Sequence, residues 1–193
     1  MLKTKIAVFV SGGGTNFEAL INAQENGKIP HGEIVLMVSS SKTAYALKRA
    51  ENHGIKSVVC SKKELGSQES FEEEILKSLE ENDIQLIVLA GFMSILSKEF
   101  TKKYENRIIN IHPSLIPSFC GEGFYGLHVH EAALKKGVKV TGATVHIVNE
   151  IPDGGPIIMQ RAVYVEENDT PEILQKRVME QAEWKILPES VEL

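Results

Sequence analysis

The chain has 193 residues, of which 42% are hydrophobic and 24% charged, and its formal net charge is −5. These proportions are ordinary for a globular protein, and the length fits a single domain over residues 1–193. The mildly acidic balance argues against broad nucleic-acid binding, which requires basic patches that no lysine or arginine run here is long enough to form.

Strand and helix patterns alternate along the chain. Apolar runs typical of buried strands occur at residues 6–10, 34–38, 58–59, 84–90, 108–111, 140–148 and 157–165. Helical patterns begin near residue 17 and cover 45–52, 67–81, 98–104, 129–136 and 170–187, and Pro188 is expected to end the last helix. The alternation predicts an α/β fold with a mostly parallel sheet, helices on both faces and mixed strands in the C-terminal third.

Targeting signals and disulfide frameworks are not expected. Residues 1–5 lead directly into the first predicted strand, and no stretch approaches the roughly 20 apolar residues of a membrane span. Cys60 and Cys120 lie far apart in sequence, which favours two reduced thiols. We therefore expect a cytoplasmic protein without membrane association.

The segment Asn110-Ile111-His112-Pro113-Ser114 is the most informative short stretch. It follows an apolar strand, and side chains two residues apart on a strand point to the same face. Asn110 and His112 are therefore able to face one reacting atom, where an amide donor and an imidazole would stabilise an oxyanion. Taken alone, such a segment more often marks a strand end followed by a polar turn, and the other motifs of the chain reverse that balance.

Two glycine-containing turns are further candidates. Residues 11–16 connect the first strand to the first helix, and Gly14, Thr15 and Asn16 are placed to donate backbone hydrogen bonds to a monophosphate. A tight turn that only needs a positive φ explains the same glycines. Asp153, in the turn between the last two strands, is either a carboxylate that orients a histidine or part of an ordinary connection.

The remaining histidines favour no metal site. His128 and His130 form a His-x-His pair, but no third or fourth ligand has suitable spacing. His128 is better explained as leading into the following helix. His146, within a predicted strand, either supports the site from behind or is a core histidine.

Four motifs in this order resemble phosphoribosylglycinamide formyltransferases, the folate-dependent enzymes of purine synthesis. The similarity extends over essentially the whole chain. The motifs are Ser11-Gly12-Gly13-Gly14-Thr15-Asn16, Leu89-Ala90-Gly91-Phe92-Met93, Asn110-Ile111-His112-Pro113-Ser114-Leu115-Ile116-Pro117 and Asp153-Gly154-Gly155-Pro156-Ile157.

The resemblance implies a Rossmann-like formyltransferase fold and a set of site residues. The implied catalytic residues are Asn110, His112 and Asp153. The implied binders of the ribonucleotide are Gly14, Thr15, Asn16 and, at the ribose, Glu183. The implied walls of the folate pocket are Met93, Ser94, Ile95, Leu96, Asn149, Glu150, Ile151 and Pro152.

The implied reaction moves a formyl group from 10-formyltetrahydrofolate to the amine of glycinamide ribonucleotide without a metal. Asn110 would stabilise the oxyanion, and Asp153 would keep His112 protonated at neutral pH. The partners would be small molecules, with the chain acting as a monomer or homodimer. Two departures stand out: Ser94 occupies a position where many members carry arginine, and the segment 118–126 is longer than usual.

Three other functions remain open. A hydrolase would use the same triad with water as nucleophile; its known examples carry an additional N-terminal domain, which we do not expect here. A non-catalytic module that binds phosphoribosyl ligands would keep the glycine turn without requiring Asn110, His112 and Asp153 to converge. A Cys120 nucleophile is the third alternative.

Overall fold

A computed structural model describes residues 2–193. Its centre is a seven-stranded sheet with the order β3-β2-β1-β4-β5-β6-β7. The strands are β1 Thr4–Val10, β2 Gly32–Ser39, β3 Lys56–Val59, β4 Leu86–Leu89, β5 Ile108–His112, β6 Val140–Ile147 and β7 Ile157–Tyr164.

Eight α-helices accompany the strands. They are α1 Thr15–Glu25, α2 Ala46–Asn52, α3 Lys62–Leu65, α4 Gln68–Glu81, α5 Lys98–Lys103, α6 Leu127–Lys136, α7 Pro171–Val178 and α8 Trp184–Glu192. A π-helical turn, Met179–Glu183, joins α7 to α8. The short helix α3 was not predicted, because its four residues are too few to show a helical periodicity.

The predicted fold class is confirmed. Strands β1 to β5 pair in parallel, whereas β5 pairs with β6 and β6 with β7 in antiparallel fashion. Because the parallel strands share one direction, the turns after β1, β4 and β5 all open at the same edge of the sheet.

The core has one apolar cluster on each face of the sheet, as alternation along β1 illustrates. Ile6, Val8 and Val10 pack into one cluster, which also contains buried residues of α1, α2, α7 and α8. Ala7 and Phe9 pack into the other, with buried residues of α4 and α5. Both faces of the strands are therefore buried, which explains their continuous apolar sequences.

The prediction that Pro188 ends the last helix is wrong. Pro188 lies inside α8, which continues to Glu192. Trp184, four residues before the proline, has a ψ of −4°, so its carbonyl is rotated away from the regular helical direction, where it would meet the proline ring. Ile186 and Leu187 are buried in the core, and their packing maintains the course of the helix beyond the proline.

No helix within residues 2–193 is long and apolar enough to cross a membrane.

Candidate active site

The three residues predicted to be catalytic converge on one cleft. Asn110 and His112 lie on β5, and Asp153 lies in the loop between β6 and β7 with a φ of 54°. All three line a cleft of about 740 Å³, together with the segment after β4 and the loop 121–126. The strand spacing therefore placed Asn110 and His112 correctly, and the long-range contact with Asp153 comes from the fold.

His112 is held between a carboxylate and a backbone carbonyl. Its side chain is almost fully buried, with Nδ1 lying 3.5 Å from Asp153 Oδ2 and Nε2 donating a 2.8 Å hydrogen bond to the carbonyl of Phe119. The bond to Phe119 selects the tautomer with a proton on Nε2, which leaves the Nδ1 lone pair as the basic position.

Asp153 acts on His112 in the expected direction, because its charge raises the pKa of the imidazole, but burial has the larger and opposite effect. Burial lowers the pKa of His112 below its ordinary value of 6.5, and the charge of Asp153 and the hydrogen bond to Phe119 offset this only in part. The free-energy cost of removing the imidazolium from water is larger than the stabilisation that the nearby carboxylate provides. Burial in the fold therefore shifts His112 toward the neutral imidazole.

Asp153 remains ionised. Burial by itself would raise the pKa of this carboxyl, but the hydrogen bond with His146, the charge of His112 and the N–H of Gly121 together lower the pKa below its ordinary value of 3.8. The backbone N–H of Gly121 donates to Asp153 Oδ2 at 2.8 Å. The loop 118–126 thus contacts both ionisable side chains, since Phe119 holds His112 and Gly121 holds Asp153.

His146 connects the amide to the carboxylate. It pairs directly with Asn110 across β5 and β6, and its Nε2 lies 3.1 Å from Asn110 Nδ2 and 3.4 Å from Asp153 Oδ1. Its Nδ1 lies 2.9 Å from the carbonyl of Ile147. The sequence left His146 as either a residue that supports the site or a core histidine, and its contacts match the supporting role. The sequence could not distinguish the two because it does not give the register between β5 and β6.

The other histidine pair does not form a site. His128 is exposed and its Nδ1 lies 3.0 Å from Glu131 Oε2, whereas His130 is completely buried. Burial, together with the nearby charge of His112, lowers the pKa of His130 to about 4. Within residues 2–193, no group of three or more His, Cys, Asp or Glu side chains is arranged to hold a metal ion.

The glycine turn after β1 presents free backbone donors. Gly14 has a φ of 70°, and a Cβ at this position would lie only 2.8 Å from the Cβ of Ala46, so the turn needs both the left-handed conformation and the missing side chain. No acceptor within residues 2–193 takes the N–H groups of Gly14, Thr15 or Asn16. A helix start with unpaired N–H groups is a favourable environment for an anion.

Two of the predicted ribonucleotide binders form a buried pair. Asn16 Nδ2 donates a 2.6 Å hydrogen bond to Glu183 Oε2, although the residues are 167 positions apart. Burial raises the pKa of Glu183 to about 7, and the hydrogen bond from Asn16 offsets part of the effect. Glu183 lies in the π-helical turn, and Thr15 Oγ1 also contacts that turn, lying 3.6 Å from Met179 Sδ.

Seven of the eight predicted folate-pocket residues line a smaller pocket of about 150 Å³ beside the cleft. They are Ser94, Ile95, Leu96, Asn149, Glu150, Ile151 and Pro152. Asn110, His146 and Asp153 also line this pocket, so it adjoins the candidate catalytic residues. The eighth residue, Met93, lines the larger cleft. Because residue 94 is a serine, this position contributes no positive charge to the pocket. A positive charge near the pocket comes from Lys98, whose Nζ lies 3.4 Å from Glu150 Oε1.

The sequence model of the formyl transferase family matches residues 4–191. This chain belongs to the formyl transferase family. Its match extends across all seven strands and both glycine turns, so the family assignment covers the cleft as well as the sheet.

Relatives of known name agree with this assignment. The chain is 47% identical over 191 residues to a trifunctional purine biosynthetic protein adenosine-3 of Gallus gallus, covering 99% of this chain and 18% of that protein. It is 38% identical over 178 residues to the chloroplastic phosphoribosylglycinamide formyltransferase of Arabidopsis thaliana, covering 92% of this chain and 61% of the plant protein. The chain thus spans less than two thirds of the length of these two relatives.

A solved structure matches over nearly its full length. The crystal structure of phosphoribosylglycinamide formyltransferase from Bacillus halodurans superimposes with a TM-score of 0.90 and 39% sequence identity, covering 98% of this chain and 94% of that chain. The seven-stranded mixed sheet is therefore the fold of this family.

Proposed function

We propose that this chain transfers the formyl group of 10-formyltetrahydrofolate to the amine of glycinamide ribonucleotide, producing formylglycinamide ribonucleotide and tetrahydrofolate. The observation that carries the proposal is the contact of His112 and His146 with opposite oxygens of Asp153, in a cleft that also contains Asn110. A module that only binds phosphoribosyl ligands would have no need for this convergence.

The two halves of the chain have separate tasks in this proposal. The N-terminal half binds the phosphate through the N–H groups of Gly14, Thr15 and Asn16. The folate binds between the segment 93–96, at the middle of the chain, and the loop 149–152 of the C-terminal half. Glu183, although late in the sequence, joins the ribonucleotide side through its bond to Asn16. The single-domain arrangement accommodates both substrates at one edge of the sheet.

The proposed chemistry follows from the hydrogen-bond geometry. The substrate amine attacks the formyl carbon, and the carbonyl oxygen becomes an oxyanion that the side-chain amide of Asn110 stabilises as a hydrogen-bond donor. Neutral His112 accepts the proton released by the amine at Nδ1, and Asp153, 3.5 Å away, stabilises the resulting imidazolium. The imidazolium then gives the proton to N10 of the folate as the carbon–nitrogen bond breaks, so no net proton is exchanged.

The loop 118–126 has a role in selecting the reactive nitrogen. Because the Phe119 carbonyl accepts the Nε2 proton, the imidazole keeps its basic lone pair at Nδ1, beside Asp153. Cys120, in the same loop, is not assigned as a nucleophile, because burial raises the pKa of its thiol above its ordinary value of 9.0. A thiol with a raised pKa is a poor nucleophile at neutral pH.

A spectrophotometric assay tests the function. Purified protein is mixed with 10-formyltetrahydrofolate, with and without glycinamide ribonucleotide, and the release of tetrahydrofolate is followed. We expect release only when the ribonucleotide is present. Release without it would establish the hydrolase instead, and no release in either mixture would contradict both enzymatic assignments.

A further inference from the structure

We propose that Arg49, on α2, is a positioning residue for the phosphate of the ribonucleotide. The inference rests on the proposed function, because that function assigns the glycine turn after β1 to the substrate phosphate. Arg49 was not among the residues predicted from the sequence, and it acts from a separate helix. Its contacts give it two tasks: orienting a peptide of the turn and neutralising a carboxylate beside it.

The first task follows from a hydrogen bond to the backbone. Arg49 Nε donates a 2.8 Å hydrogen bond to the carbonyl of Gly13. In a trans peptide, the carbonyl of one residue and the N–H of the next point in opposite directions. Arg49 therefore holds the peptide between Gly13 and Gly14 with its carbonyl toward α2 and the Gly14 N–H directed away from α2, free for an anion.

The glycines make this external support necessary. A Cβ at Gly13 would have no neighbour within 4 Å, so side-chain packing does not restrain the peptide. Glycine also has the widest backbone freedom of any residue. The rigid guanidinium, itself stacked 5.1 Å above the ring of Tyr45, supplies the missing restraint.

The second task follows from an ion pair. Glu18 lies in the first turn of α1, close to the N–H groups that would receive the phosphate. An unpaired carboxylate there would repel a phosphate dianion. Arg49 Nη1 lies 3.0 Å from Glu18 Oε2, and both side chains are partly buried, so the pair neutralises this charge with little solvent screening.

The ion pair belongs to a short chain of polar contacts. Glu18 Oε1 lies 3.4 Å from His53 Nε2, and His53 Nδ1 lies 2.9 Å from Glu25 Oε1. Arg49 and Glu18 also line a cavity of about 190 Å³ with Thr15 and Trp184. The guanidinium is therefore held by Gly13 and Glu18, and the cavity that it lines also borders Thr15, a predicted phosphate binder.

The test compares two neighbouring cations of α2. Arg49→Ala removes the proposed positioning residue, and Lys48→Ala removes the same charge from an exposed side chain that pairs with Glu51 and does not contact the turn. For Arg49→Ala we expect the KM for glycinamide ribonucleotide to rise roughly tenfold or more, and the KM for the formyl donor to change less than twofold. Lys48→Ala should leave both constants unchanged. An unchanged KM in Arg49→Ala, or an equal rise for both substrates, would overturn the proposal.

A double variant distinguishes the neutralising task of Arg49 from its orienting task. Adding Glu18→Gln to Arg49→Ala removes the carboxylate left without its cation, so part of the lost ribonucleotide affinity should return. Absence of any recovery would refute the neutralising task.

If Arg49→Ala does not fold, Arg49→Lys replaces it. The lysine keeps the positive charge but lacks the planar guanidinium that contacts both Gly13 and Glu18, so we expect a smaller rise in the KM for glycinamide ribonucleotide. An unchanged KM in Arg49→Lys would refute the orienting task.

Calorimetric titration with ribose 5-phosphate distinguishes failure of this inference from failure of the proposed function. If the wild-type chain transfers no formyl group but binds ribose 5-phosphate, a roughly tenfold weaker Kd in Arg49→Ala still supports the positioning task, and an equal Kd rejects it. If the wild-type chain does not bind ribose 5-phosphate, the phosphate assignment and the role of Arg49 both fall.

Discussion

Asp153 is the residue around which the candidate active site is arranged. One of its oxygens faces His112 and the other faces His146, and Gly121 donates to it from the loop above. Its left-handed backbone, with a φ of 54°, is unusual for a residue other than glycine. An uncommon conformation held by converging contacts is typical of functional sites, and in the proposed function it directs the carboxylate toward both imidazoles.

Asn110→Ala should leave the fold intact and reduce turnover. Loss of one oxyanion donor typically costs about 3 kcal/mol in the transition state, which is roughly a hundredfold in rate. Single-turnover kinetics measures the effect on kcat, and circular dichroism checks the fold. The control is Asn52→Ala, which removes an exposed amide at the end of α2. Wild-type turnover in Asn110→Ala would contradict the assigned role.

Glu183 predicts a specific pH dependence of stability. The pKa of the Glu183 carboxyl is 4.5 in the unfolded chain and is raised to about 7 in the folded chain. Its contribution to stability is therefore full below pH 4.5 and is lost as the pH rises through about 7, since the unfolded state then gains by ionising. With about 1.4 kcal/mol per pKa unit, the loss is roughly 3 kcal/mol.

Glu183→Gln should remove this pH dependence, because the amide does not titrate. Urea unfolding of both proteins at several pH values between 4.5 and 7.5 gives the free energies of unfolding. We expect the free energy of unfolding of the variant to increase relative to that of the wild type as the pH rises. Parallel curves over this range would show that Glu183 ionises normally in the folded chain.

At the scale of the elements, the turns after the strands determine where the site residues lie. The turn after β1 joins the rest of the molecule through Ser11, whose Oγ accepts from the N–H of Met93 and lies 2.6 Å from Ser40 Oγ. The turn after β5 is held by Thr144 Oγ1, which donates to the carbonyl of Ser114. These contacts link neighbouring strands at one edge of the sheet, so in the proposed function both substrates would bind to a shared framework.

Gly14→Ala should destabilise the turn after β1. The left-handed backbone costs a residue with a Cβ roughly 1–2 kcal/mol, and the added methyl would also press against Ala46. Gly12→Ala is the matched control, because a Cβ at Gly12 has no neighbour within 4 Å and its φ is not positive. Thermal unfolding should show a clear loss for Gly14→Ala and little change for Gly12→Ala; equal losses would mean that the conformation of Gly14 is unimportant.

The helical elements mark where sequence patterns were sufficient and where they were not. Thr170 caps α7 by accepting from the N–H of Ile173, with Pro171 in the first turn, and both residue types favour a helix start at these positions. Pro188 was a misleading stop signal because packing of the buried face of α8 outweighs the loss of one hydrogen-bond donor. Local signals predict helix starts well here, and tertiary packing decided how far the last helix extends.

At the scale of the whole molecule, the sheet separates two apolar clusters and presents both proposed binding regions at one edge. Helix α8 packs against α1, the helix that begins at the glycine turn after β1, and Leu187 of α8 is completely buried. The stability of the region proposed to bind the ribonucleotide therefore depends on the C-terminal segment, although the glycine turn itself lies near the N-terminus.

Leu187→Ala should lower the free energy of unfolding by about 2–5 kcal/mol, the usual cost of removing a buried leucine side chain and leaving a cavity. Leu193→Ala, which truncates a leucine that is 87% exposed, should have almost no effect. Urea denaturation of both variants measures the difference. Similar small effects would show that the C-terminal segment contributes little to the core.

The sequence by itself determined the strands, most of the helices, the fold class and the residue types of the candidate site. Apolar strand runs, helix caps and glycine turns are local features, and the spacing of Asn110 and His112 places both on one face of a single strand. Only the tertiary structure decided the pairing of Asn16 with Glu183, the contact of His146 with Asp153, and the burial that lowers the pKa of His112. These depend on strand register, long-range packing and burial, which no local pattern encodes.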